Sequence, residues 1–295
     1  MKDVIHAKIR MVLALGICLV MGITMVFATG CGGSKGDGLS SIAVITREEG
    51  SGTRSAFAEI VGLVDDDGVD SITQTAEVTN NSAVMLTTVA GNPAAIGYLS
   101  FGSLDDSVKA LAVDGISIDR ETLKGQYPIK RPFNILTKGT ASNEVKDFIN
   151  YILSSEGQKV VADEKYLEVS ENAGAFKGGK VSGKITVGGS SSVTPLMEKL
   201  VEAYNKINPN LNIEIQMTDS STGIQNTDNG VLDIGMASRD LKDEEKTYNL
   251  TTMKIAIDGI AVIVNQENAD ISSLTLDQIK NIFGGSLTEW SEIEN

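Results

Sequence analysis

Three times this sequence passes from a short β-branched run, through a turn of Ser, Gly and Thr, into a helical pattern. That repetition points to an α/β sheet with its turns beyond the carboxyl ends of the strands. The first unit is Ile42-Ala43-Val44-Ile45, the turn Arg47-Glu48-Glu49-Gly50-Ser51-Gly52-Thr53-Arg54, and a helix opening at Ser55. The second is Ile185-Thr186-Val187, then Gly188-Gly189-Ser190-Ser191-Ser192, then a helix with Leu196, Met197, Leu200, Val201 and Tyr204 on one face. The third runs from Leu211-Asn212-Ile213-Glu214-Ile215 through Asp219-Ser220-Ser221-Thr222-Gly223 into a helix at Ile224. Each turn offers backbone N–H groups, hydroxyls and the positive end of a helix dipole to a small anion. One Gly-Ser-Gly-Thr is also an ordinary capped turn. Three such turns favour convergence on an oxyanion. No Gly-Lys-Ser/Thr ending and no complete dinucleotide fingerprint occurs, so a bare oxyanion is expected rather than a nucleotide.

The first 31 residues read as a secretory signal: Lys2, Lys8 and Arg10 precede an apolar run from Met11 to Phe27, followed by Ala28-Thr29-Gly30 and Cys31. Cys31 resembles the lipid-carrying cysteine of a bacterial lipobox, with Ala28 where Leu is usual. An uncleaved signal anchor is the alternative; both readings place the globular part outside the cytoplasmic membrane. Residues 32–38 read as a flexible Gly-rich tether.

Without that segment the chain has neither cysteine nor histidine, since Cys18, Cys31 and His6 all lie within it. Nucleophile–histidine hydrolysis and zinc sites are therefore disfavoured, and no metal or cofactor is expected. Asp65-Asp66-Asp67 lacks the alternation of a calcium loop. A net charge of −14 without a basic stripe argues against nucleic acid. About 255 residues remain, enough for one large domain or two ordinary ones. Among them, Ala95 to Phe101 and Phe133 to Thr137 read as strands, and Val145, Phe148, Ile149, Ile152, Leu153, Val160 and Val161 as the core face of one helix capped by Ser142.

Longer stretches carry a resemblance. Ile185 to Pro195, Asp233-Ile234-Gly235-Met236-Ala237-Ser238-Arg239, Ile257 to Asn265, and Ile279 to Gly285 with Trp290 resemble the N-terminal half of the phosphate-binding proteins of bacterial ABC importers. Thr46 to Arg54 and Ala95 to Ser100 resemble the C-terminal half. The halves stand in reversed order, so the chain looks like a circular permutant with Lys177 to Gly183 as the new junction. The resemblance implies a type II periplasmic-binding-protein-like fold of two α/β lobes closing on a cleft. One lobe is expected over residues 111–264. The other is split, from residues 39–110 and 265–295, with the chain ends meeting in it.

Carried over residue by residue, the resemblance implies phosphate contacts from Arg47, Ser51, Gly52, Thr53, Ser191, Ser192, Ser220 and Ser238. A site preferring phosphate to sulfate also needs an acceptor for the phosphate proton; Asp258 is the first candidate and Asp233 the second. Some members carry an Asp near Ser238 or Arg239; Arg239 itself is expected in a surface ion pair with Asp240 or Glu244. The implied activity is non-enzymatic: a monomer, lipid-anchored outside the cell, delivering inorganic phosphate to permease subunits. The alternatives are a sensory or interaction lipoprotein on the same fold, or a binder of sulfate or molybdate.

Overall fold

The computed structural model of the chain describes residues 41–170, 172–268 and 270–293. The signal segment, Cys31 and the tether lie outside them. The chain opens with β1 (Ala43–Arg47), α1 (Gly52–Ile60), β2 (Glu77–Thr79), α2 (Ser82–Ala90), β3 (Ala95–Ser100), β4 (Val108–Ala110), β5 (Ala112–Val113) and α3 (Arg120–Lys124). It crosses on β6 (Lys130–Lys138) to α4 (Asn143–Ile152), α5 (Ser155–Asp163), β7 (Leu167–Glu168), β8 (Gly183–Ser190) and α6 (Thr194–Asn205). β9 (Leu211–Thr218), α7 (Ser220–Asp228) and β10 (Ile234–Ala237) follow. β11 (Leu250–Asn265) crosses back to β12 (Ser273–Leu274) and α8 (Leu276–Gly284).

The strands run in the order β2-β1-β3-β11-β6-β10-β8-β9, with β4 and β7 also pairing to β11. β11 is long enough to serve both lobes: residues 260–264 pair antiparallel with β3, and residues 250–259 with β6. The units read from the sequence are present: β1 pairs parallel with β2 and β3, and β8 pairs parallel with β9 and β10.

Each lobe buries both faces of its part of the sheet. In the split lobe Phe57 of α1 stacks on Tyr98 of β3 with centroids 4.1 Å apart, and Phe283 of α8 meets Phe57 edge-on at 4.8 Å. The opposite face packs Ile45, Leu99 and Ala261 against Met85 and Val89 of α2. In the continuous lobe Phe133 and Ile135 share a core with Phe148, Tyr151, Leu200 and Tyr204, while Leu136 and Ala237 pack on Ile224 of α7. Fully buried side chains of this size each contribute about 1.5–3 kcal/mol.

Two expectations change. Residues 111–129 pack on the split lobe: Leu111, Val113, Leu123, Tyr127 and Ile129 lie in one cluster with Phe57 and Phe283. β5 pairs with β12, Ile260 N–H donates to Ile129 O at 2.8 Å, and Tyr127 donates to Ile260 O at 2.8 Å. The first crossing between lobes therefore falls at β6 rather than at residue 111, and the second lies within β11, where pairing passes from β6 to β3 between Gly259 and Ile260, a few residues before 264. The helix read across 145–161 is two helices, because Ser154 ends the first, accepts from Gly157 N–H and caps α5. The first and last described stretches touch: Ile42 N–H donates to Thr288 O at 2.7 Å, and Ser41 bonds to Glu289.

Candidate functional site

Arg47 ends β1 and is only 2 % exposed. Its backbone is pinned by Tyr98, whose hydroxyl accepts from Arg47 N–H at 3.3 Å and lies 2.7 Å from Thr46 Oγ1. Burial pushes the Tyr98 hydroxyl up to about 12, so it stays protonated in this role. The guanidinium is held from one side by Glu48, with Nε to Oε2 at 2.8 Å and Nη2 to Oε1 at 2.7 Å. From the other lobe, Ser191 Oγ accepts from Nη2 at 3.0 Å.

Around this cation sit hydroxyls from both lobes. Thr53, in the first turn of α1, lies 2.8 Å from Ser192 Oγ. Ser192 also meets Ser82 Oγ at 3.2 Å, and Ser82 accepts from Arg47 Nη1 at 3.4 Å. Ser51 is the N-cap of α1 and accepts from Arg54 N–H, so it lies beside the cluster with one lone pair already engaged. Four helices, α1, α2, α6 and α7, begin at these turns. Their first N–H groups have no intrahelical acceptor, which gives the cluster a positive potential beyond Arg47.

Gly52, Ser220 and Ser238 meet at a second contact between the lobes. A Cβ on Gly52 would overlap Ser220 Oγ and sit 2.7 Å from Ser238 Oγ, so a glycine lets α1 close against α7. Ser221 N–H adds a backbone bond across the same seam, to Gly50 O at 3.2 Å. Behind it, Gly189 has φ +131°, and a Cβ there would strike Met236 O of β10, which explains a Gly-Gly pair where β8 ends.

Asp258 lies one layer further back. It is fully buried, accepts from Ser100 Oγ at 2.9 Å and from Arg131 Nε and Nη2 at 3.1 and 3.0 Å, and makes no bond to Arg47, Thr53, Ser191 or Ser192. Arg131 links it to the cluster, donating through Nη1 to Ser238 Oγ at 3.2 Å. Burial pushes the Asp258 carboxyl up to about 6 against the opposing pull of Arg131 and Ser100, and lowers Arg131, with Arg47 adding to that lowering. A carboxyl that holds its proton more tightly when folded than in the unfolded chain stabilises fully below about pH 4 and loses that contribution as pH rises through about 6. The difference in unfolding free energy between the wild type and Asp258→Asn, measured by urea titration, is expected to shift between those pH values and level off above them. A difference constant across the window would show that the carboxyl is ionised throughout.

The other carboxylate singled out from the sequence, Asp233, is elsewhere. It is exposed and accepts from Thr186 N–H and Oγ1 at 2.7 and 2.9 Å, joining β8 to the start of β10. Arg239 forms a buried fork with Glu245, at 2.6 and 2.7 Å, not a surface pair with Asp240 or Glu244, and its Nη2 donates to Ser221 Oγ. Four residues escaped the sequence reading: Ser82, Ser190, Arg131 and Glu48. Only Ser190 and Glu48 carried a signal, as neighbours of residues already chosen.

A cleft between two α/β lobes, sealed by an arginine, a ring of hydroxyls and helix N-termini, defines the class of two-lobed solute-binding proteins. The family model described as the PBP superfamily domain matches residues 36–156 and 174–295. Phosphate-binding protein PstS 2 of Streptococcus agalactiae is 45% identical over 293 residues, covering 97% of this chain and 99% of that protein. PstS 2 of Streptococcus pneumoniae is 45% identical over 265 residues, covering 88% and 90%. The crystal structure of a phosphate-binding protein of a phosphate ABC transporter from Streptococcus pneumoniae superposes with a TM-score of 0.69 at 45% identity, over 86% of this chain and all of that one. The chain belongs to the PBP superfamily and, within it, to the family of phosphate-binding PstS proteins.

Proposed function

We propose that this chain binds inorganic phosphate between its lobes and delivers it to the permease of an ABC importer. The observation that carries this reading is Arg47: a buried guanidinium whose donors not taken by Glu48 meet hydroxyls from both lobes. In this reading Arg47 supplies the charge-assisted bonds, Thr53, Ser82, Ser191 and Ser192 supply hydroxyls, and Gly52 supplies a backbone N–H group, while Ser51, whose own N–H is donated to Glu48 O at 3.0 Å, caps the helix beside them. Ser220 and Ser238 form the opposite wall. No catalysis and no cofactor is involved. The relatives, phosphate-binding protein PstS 2 and a phosphate-binding protein of a phosphate ABC transporter, support the same assignment.

The proposed setting is the outer face of the cytoplasmic membrane, with Cys31 as lipid anchor, residues 32–38 as tether, and a monomer as the working unit. The contact between Ile42 and Thr288 is what a permuted chain cut in that loop would show. A relative matched over nearly its full length weighs against a recombined remnant and for a working transport component.

Asp258 favours a second reading, another tetrahedral oxyanion such as sulfate or molybdate, because both its oxygens face inward to Ser100 and Arg131. Titration calorimetry of the tether-free chain separates the readings. Phosphate is expected to bind tightly and sulfate weakly; sulfate binding of equal strength would establish the second reading, and absence of phosphate heat would overturn the first.

A further inference from the structure

We propose that Arg131 and Asp258 act as a positioning pair that turns one wall of the cleft into hydrogen donors only, so that the site takes phosphate as its dianion, with the remaining proton turned to the other wall. The inference rests on the phosphate reading above and concerns residues that this reading leaves without a part.

Lone pairs fix the direction of these bonds. A hydroxyl oxygen accepts at most two hydrogen bonds and donates one. Ser238 Oγ accepts from Arg131 Nη1 at 3.2 Å and from Ser190 Oγ at 2.9 Å. Ser190 in turn accepts from Ser192 N–H at 3.3 Å. With both lone pairs filled, the Ser238 hydroxyl can only donate, to Ser220 Oγ at 3.3 Å or into the cleft. Ser220 Oγ already accepts from Ser238 N–H at 3.1 Å. If it also takes the Ser238 proton, its own hydrogen must point onward. The Ser238–Ser220 bond at 3.3 Å fills the second lone pair of Ser220, and with it formed this wall presents only hydrogens. The chain of hydroxyls runs in one direction, and each bond polarises the next.

Arg131 sets that direction because it has no freedom to do otherwise. Its Nε and Nη2 are committed to Asp258 Oδ2, and Asp258 Oδ1 to Ser100. The pair bridges β6 and β11, the two strands that cross between the lobes, at the register position Asp258–Arg131. It therefore holds Ser238 wherever the lobes move around that crossing. The opposite wall differs. Thr53 to Ser192 and Ser82 to Ser192 are hydroxyl contacts in which either oxygen can be the donor, so this wall can accept one proton from the ligand. One donor-only wall and one adaptable wall match an oxyanion with a single O–H. A monoanion with two would face a donor with a donor.

The charged and titratable groups facing the pair and the cleft are Arg47 and Glu48 at the end of β1, Arg131 on β6, Asp258 on β11, and Tyr127 and Tyr166, whose hydroxyls burial pushes upward. Calorimetry with phosphate and with sulfate, from about pH 6.5 to about pH 8.5, tests the proposal. In the wild type, affinity for total phosphate is expected to rise about fivefold as the dianion replaces the monoanion, while sulfate stays flat. In the double variant Arg131→Met with Asp258→Leu, which leaves no buried charge unpaired, the phosphate rise is expected to fall below about twofold, because Ser238 can then turn and accept. Arg131→Lys, which keeps a donor on Ser238, is expected to preserve the rise. Ser238→Ala, which frees a lone pair on Ser220 without touching the ion pair, is expected to flatten it even if the double variant does not fold. Equal pH profiles in the wild type and Ser238→Ala would overturn the proposal, as would a sulfate profile rising like that of phosphate. A wild type that binds no phosphate at any pH would instead overturn the functional reading itself.

Discussion

Replacing Arg47 by Ala is expected to weaken phosphate binding by roughly 2–5 kcal/mol, the range for truncating one partner of a buried charged contact. The magnitude follows from burial: at 2 % exposure the guanidinium has no water to screen it, and its donors lie between Glu48, Ser82 and Ser191. Arg47→Lys is expected to recover only part of the loss. An ammonium cannot keep the fork on Glu48 while reaching Ser191 and the anion. Calorimetry reads the affinity, and thermal unfolding without ligand separates binding from folding. An affinity within error of the wild type would place Arg47 outside the site and return Gly50 to Thr53 to the status of a capped turn.

The same side chain illustrates what local pattern can and cannot reveal. Arg47, Ser51, Gly52 and Thr53 are singled out by local pattern because one strand–turn–helix unit carries them within eight residues; Ser191 and Ser192 come from a second such unit and Ser220 from a third. Ser82 belongs to a fourth unit of this design, but its strand, β2, has three residues, and Val78 within it is 58 % exposed, so no apolar run announces it. Arg131 precedes a proline inside a strand, a position that reads as an edge or turn, yet it is 3 % exposed because Asp258 lies directly opposite on β11. Burial of that kind is set by a residue 127 positions away and has no local signature.

The place of residues 111–129 is hidden for a related reason. The segment 111–129 contains one two-residue strand and a five-residue helix, too little periodicity to show which core it joins. Pairing of Ala112 with Ser273, fixed only by tertiary structure, assigns it to the split lobe. The break at Ser154 was hidden by success of another sort: Val145, Phe148, Ile149 and Ile152 on α4 and Val161 on α5 all face the same core, so the apolar pattern reads across a boundary that the Ser154 cap creates. Core-facing pattern reports which side is buried more reliably than where a helix ends.

Gly52→Ala should move stability and binding in opposite directions. Gly52 opens α1, and its backbone is not in the left-handed region, so an added methyl meets no backbone strain. Alanine favours a helix over glycine by up to about 1 kcal/mol, which gives an unchanged or slightly raised melting temperature for the free protein. Binding is another matter. The new Cβ would press on Ser220 and Ser238, which belong to the other lobe, so strain arises only when the lobes close. Overpacking of this kind costs roughly 1–3 kcal/mol, about a five- to 150-fold loss of phosphate affinity. Enlarging the opposing side chain would worsen the loss, whereas shortening it in Gly52→Ala with Ser220→Gly should relieve the clash. The double variant would still lack the Ser220 hydroxyl, so recovery should be partial. Equal losses of affinity and of melting temperature in Gly52→Ala would mean that Ser220 and Ser238 press on Gly52 in the open protein as well, and that this seam is part of a fixed core rather than a surface that meets on ligand binding.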